Sequence, residues 1–124
     1  MADAWTYRHG SLGEDLDAVA PTLTGAFAEI RGALEAGRPV VIVTEAADLL
    51  GQGSPLDAAV ATGLLGMMRT LAIEGAKPGW RVNMVATPAG GDDEVEATIA
   101  MLAAAPFSGQ LLQLGGANLG KVVS

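Results

Sequence analysis

The stretch SPLDAAVATGLLGMMRTLAIEG, Ser54 to Gly75, begins as a helix begins. Ser54 suits the N-cap, Pro55 the first helical position, and Asp57 the positively polarised first turn. The stretch carries only three charges, Asp57, Arg69 and Glu74. Advancing about 100° per residue sorts it into two surfaces. Val60, Ala61, Leu64, Leu65, Met67, Met68, Leu71 and Ala72 form a bulky face, expected to lie on a sheet. Opposite runs a stripe of small residues, Ala59, Gly63, Gly66 and Thr70. An interior helical glycine costs about 1 kcal/mol relative to alanine, so close packing on the stripe is expected to offset two of them. Two occupants fit it: the preceding helix of the same chain, or a helix of a second subunit. So small a domain has little material for a further layer, which favours the second subunit.

Outward from this helix, helical and extended patterns alternate. PVVIVT (39–44) and RVNMVA (81–86) are short apolar runs of the kind that form buried strands, and GQLLQLGG (109–116) is a leucine-richer third. AWTYR (4–8) is a candidate edge strand. TLTGAFAEIRGALEAG (22–37) sets Leu23, Phe27, Ile30 and Leu34 on one face and stops at Gly37. DDEVEATIAMLAAAP (92–106) has an acidic first turn, an apolar face of Val95, Ile99 and Leu102, and a closing proline. The order predicts a single domain over residues 1–124. Its expected class is α/β, a three-layer fold with a small parallel sheet of three to four strands and right-handed crossovers.

Composition narrows function. The 124 residues are 50% hydrophobic and 17% charged, which argues against disorder. The net charge of −7, with seven scattered Lys and Arg, argues against nucleic acid or an anionic membrane as partner. No cysteine is present, so disulfides and thiolate metal sites are excluded. The N-terminal segment has no basic and apolar regions of a secretory signal, and Arg69 and Glu74 interrupt the longest candidate membrane span. A cytoplasmic location is expected.

GLLGMMRTLAIEGAKPGWRVNMVATPAG (63–90) resembles the short-chain dehydrogenase/reductase family, from its active-site helix through the strand that follows. LTGAFAEIRGALEAGRPVVIVTEA (23–46) looks like the preceding helix and strand, and EVEATIAMLAAAPFSGQLLQLGG (94–116) like the last helix and strand. The resemblance runs over about residues 12–117. It implies a doubly wound, Rossmann-like fold, of which this sequence matches the C-terminal half.

What the resemblance implies for chemistry is mostly loss. Family members bind NAD(P) through a glycine-rich turn after the first strand, and no G-x-G-x-x-G occurs here. GQGSP (51–55) follows a different strand and is expected to be a plain turn. The family's proton-donating Tyr aligns with Asp57, and its Lys four residues later with Ala61. Its Ser aligns with Thr44 and its water-holding Asn with Thr22. An ordinary aspartate is ionised at neutral pH and has no proton to donate. Asp57 is therefore expected to be a helix-capping carboxylate. The loop that closes over substrate in the family is short here (TPAGGDDEVEA), with Ala89 and Gly115 at altered positions. His9 is expected to be a satisfied or solvated histidine, and Asp92, Asp93, Glu94 and Glu96 a complement to the helix dipole rather than a cation site.

These features lead to an expected non-catalytic subunit that oligomerises with itself or with a full-length reductase. The expected contact comprises Ala59, Gly63, Gly66, Thr70, Phe27 and Ile30. No cofactor or metal is expected; NAD(P) would enter only where a partner supplies the glycine turn. The alternatives are a half-fold component of an NAD(P)-dependent 3-ketoacyl-type reductase, and a small-molecule binding module at the strand ends near Thr44 and Ala86.

Overall fold

In the computed structural model, residues 3–88 and 92–115 are described. Of the two altered positions, Ala89 lies outside them and Gly115 within. Four strands form one sheet in the order β1 (Trp5–Arg8), β2 (Val40–Glu45), β3 (Val82–Thr87) and β4 (Leu111–Gln113). All neighbours are parallel, with Trp5 opposite Val40, Val40 opposite Val82 and Met84 opposite Leu111. The edge strand expected at 4–8 is thus real, and the Rossmann-like α/β class holds.

Helices α1 (Val19–Glu35), α2 (Ala46–Leu49), α3 (Pro55–Glu74) and α4 (Asp92–Ala104) join the strands. The pleat divides the core. Val40, Ile42, Val82 and Met84 face α1 and α3, where Ala26, Ile30, Leu34, Val60, Leu64, Met68 and Leu71 complete one cluster. Val41, Val43 and Val85 face α4, where Val95, Ile99 and Leu102 complete another. Strands covered on both faces read as continuous apolar runs, which is why β2 and β3 were legible. By length and composition α3 is apolar enough to cross a membrane. Its buried side, Val60, Ala61, Leu64, Met68 and Leu71, is spent on the sheet core.

Local chemistry fixes the element ends. Gly37 ends α1 with φ of 83° and donates from its N–H to the Leu34 carbonyl at 3.0 Å. Ser54 caps α3, its Oγ accepting from the Leu56 N–H at 3.2 Å. At the other end of α3, a Cβ on Gly75 would stand 2.5 Å from the Trp80 Cβ, so only glycine lets the chain turn under the indole. The Arg81-Val82-Asn83 triplet fastens the segment between α4 and β4. Arg81 Nη1 donates to the Ala105 carbonyl at 2.7 Å, Asn83 Nδ2 to the Phe107 carbonyl at 3.2 Å, and the Gln110 N–H to Asn83 Oδ1 at 3.1 Å.

Two expectations about the subunit contact are corrected. Ile30, placed at a subunit contact, is 0% exposed inside the core and cannot meet a partner. Gly63 faces α1 of its own chain, with Leu23 Cδ2 2.9 Å from where its Cβ would stand. The other stripe positions, Ala59, Gly66 and Thr70, are exposed. Phe27 is 38% exposed and lies under the Arg31 guanidinium, 5.9 Å from the ring centroid.

Candidate functional site

Open parallel sheets leave a crevice at the carboxyl ends of their strands. Here a cavity of about 430 Å³ opens there. Arg8, His9 and Ser11 reach it from the end of β1, Thr44 and Glu45 from β2, Asp48 from α2, and Ser54 and Asp57 from the start of α3. Thr87, Pro88 and Asp92 close it.

Two of the four family positions meet in this cavity and two do not. Thr44 and Asp57 line it. Ala61 is fully buried in the body of the fold. Thr22 lies in a separate groove between β1 and α1, beside Tyr7 and Glu29.

Asp57 is 7% exposed, and both its oxygens are engaged. Oδ1 accepts from the Leu12 N–H and Oδ2 from the Ser11 hydroxyl, each at 2.8 Å. This corrects its assignment as a cap: the carboxylate bonds across the fold to the loop after β1. Ser54 supports the same junction, its hydroxyl donating to the Gly13 carbonyl at 2.9 Å. Asp57, expected at the family's tyrosine position, ties the loop after β1 to the first turn of α3.

Thr44 is 3% exposed, and its hydroxyl lies 3.4 Å from His9 Nε2. His9 Nδ1 is 3.1 Å from the Gly10 carbonyl, which can only accept, so Nδ1 is assigned a proton. The histidine is thus satisfied, as expected, yet it is also the one imidazole over the cavity floor. Asp48 was not singled out by any motif. Burial pushes its carboxyl above the ordinary value of 3.8, and the carboxylates of Asp57 and Glu45 add to the rise while His9 opposes it. The arrangement offers hydroxyls, an imidazole and carboxylates for hydrogen bonding. Among the described residues no lysine or tyrosine lines it.

Elsewhere, Glu94 Oε1 accepts from the Gly115 N–H at 3.0 Å and Glu96 pairs with Arg8 at 3.7 Å. Among the described residues no cluster could hold a metal ion.

The SDR-like family model, described as short chain dehydrogenase-like protein, matches residues 9–114. Among solved structures, the crystal structure of 3-hydroxyacyl-CoA dehydrogenase type-2 from Mycobacterium avium is similar, with a TM-score of 0.74 and 19% identity. The match covers 96% of this chain and 68% of that one. At so low an identity the likeness shows the fold alone. A search of the curated proteins found no match.

Proposed function

The chain belongs to the short-chain dehydrogenase-like family, and from that premise we propose that it is a non-catalytic member. In this account it is a subunit that associates through the outer face of α1 and α3 with a second copy or with a full-length reductase of the same family. The observation that carries the proposal is the commitment of Asp57. Both oxygens of this carboxyl group are engaged by the loop after β1, Oδ2 by the Ser11 hydroxyl and Oδ1 by the Leu12 N–H, so the side chain is held as part of the fold. Ala61 adds no cation beside it. The sequence contains no glycine turn for a dinucleotide.

The associating surface is the part of the stripe that the chain leaves open. Ala59, Gly66 and Thr70 on α3 and Phe27 on α1 are exposed, and nothing lies within 4 Å of a Cβ built on Gly66. An exposed helix face of small uncharged residues lets another backbone approach closely. Ile73, 79% exposed near the end of α3, extends it.

The test measures cofactor binding and turnover together. Titration of NADH and NADPH onto the purified chain, alone and with a full-length reductase, is expected to show no saturable binding by the chain itself. Turnover of a 3-ketoacyl substrate by the chain would refute the proposal. The cavity favours a second reading, a small-molecule binding module that uses Thr44 and His9 as hydrogen-bonding groups.

A further inference from the structure

The outer edge of β1 is open among the described residues: β1 pairs with β2 only. The Trp5 N–H donates to the Pro39 carbonyl at 2.7 Å, so the main-chain groups of Trp5 and Tyr7 point toward β2. Those of Ala4, Thr6 and Arg8 therefore point away from it. Beside this edge, between β1 and α1, runs a groove of about 450 Å³ lined by Tyr7, Thr22 and Glu29 among others. An unpaired edge with an adjoining groove is the setting for strand addition.

We propose that this edge pairs antiparallel with β1 of a second copy about a two-fold axis midway between the two Thr6 residues, joining two four-stranded sheets into one. The register follows from the geometry. A two-fold perpendicular to the sheet keeps each face on its own side, so paired positions share parity. Thr6 then meets Thr6 of the second copy as a hydrogen-bonded pair, its outward N–H and carbonyl both used. Trp5 meets Tyr7 on the face of α1, with the groove beside Tyr7 receiving the indole, and Ala4 meets Arg8 on the other. Asp3 meets His9. No like charges are opposed, and aromatic residues lie across from each other as cross-strand pairs favour. The pairing is self-complementary, as a two-fold contact must be. It uses a surface separate from the α1 and α3 face and does not depend on it.

Cysteine cross-linking tests this register, because the chain has no native cysteine. A hydrogen-bonded antiparallel pair sets its Cα atoms about 5.5 Å apart, within disulfide range. Mild oxidation of Thr6→Cys is expected to give a covalent dimer well above the level of Ala100→Cys, an exposed α4 control. Thr6→Pro removes the outward N–H without taking a hydrogen bond from the β1–β2 ladder, and is expected to halve the mass in sedimentation equilibrium. Equal cross-linking of the two cysteine variants, or an unchanged mass for Thr6→Pro with native circular dichroism, overturns the proposal, as does occupation of the edge by another protein. If Thr6→Pro fails to fold, the cysteine pair alone decides. Gly66→Arg, on the helix face, is expected to leave the Thr6→Cys cross-link intact, so failure of one contact is distinguishable from failure of the other.

Discussion

Asp57 and Ser11, 46 positions apart in sequence, are joined by a 2.8 Å hydrogen bond between a buried carboxylate and a hydroxyl. With the Leu12 N–H on the other oxygen, this contact fixes the loop after β1 against the first turn of α3. Asp57→Ala strips partners from both groups and is predicted to destabilise the fold by about 2–3 kcal/mol, with Ser11→Ala costing about 1 kcal/mol. Urea denaturation of the three proteins checks the order; an Asp57→Ala as stable as the parent would mean the clamp does not hold the loop.

Two glycines are predicted to respond oppositely to the same substitution. Gly75→Ala pushes a methyl into Trp80, with ring and Cβ atoms 2.5–2.7 Å away, and should destabilise by about 1–3 kcal/mol. Gly66→Ala meets nothing in its own chain and should stabilise the monomer by up to about 1 kcal/mol through helix propensity. Thermal melts at low protein concentration read both.

Much of the fold was legible because its signals are local. β-branched runs gave β2 and β3, Gly37 and Pro106 bounded helices, and Ser54-Pro55 marked the start of α3. The four-residue α2 was too short for any period to show. The site was less legible, because Asp57 in a first helical turn looks like a local complement to the dipole. Its real partners come from a loop that no spacing rule connects to it. Ile30 and Gly63 were misplaced for a related reason: helical periodicity gives a face but not which neighbour covers it.

Asn83 is predicted to act on β4 more than on the whole fold. Its amide bonds the Phe107 carbonyl and the Gln110 N–H. Asn83→Ala should cost about 1–2 kcal/mol and speed hydrogen exchange in Leu111–Gln113 ahead of β2. Uniform exchange changes across the sheet would argue against this local role.

Asp48 carries a pH signature. Its folded pKa lies above the ordinary value of 3.8, so between the two values the native state holds more protons than the unfolded one. Stability at this site is therefore lost as pH rises through that window and regained as it falls. Asp48→Asn should melt higher than the parent at pH 7, and the gap should close below the ordinary aspartate value. A gap that does not change with pH would point to packing instead of charge.

The account's central claim, association through the outer face of α1 and α3 without catalysis, is tested most directly by the mass of Gly66→Arg in sedimentation equilibrium beside the parent chain, each alone and with a full-length reductase. The account predicts that the parent forms a complex and that the variant, still folded, loses half its mass or its reductase. A parent that runs as a monomer and binds no reductase, or a folded variant with every association intact, would contradict it.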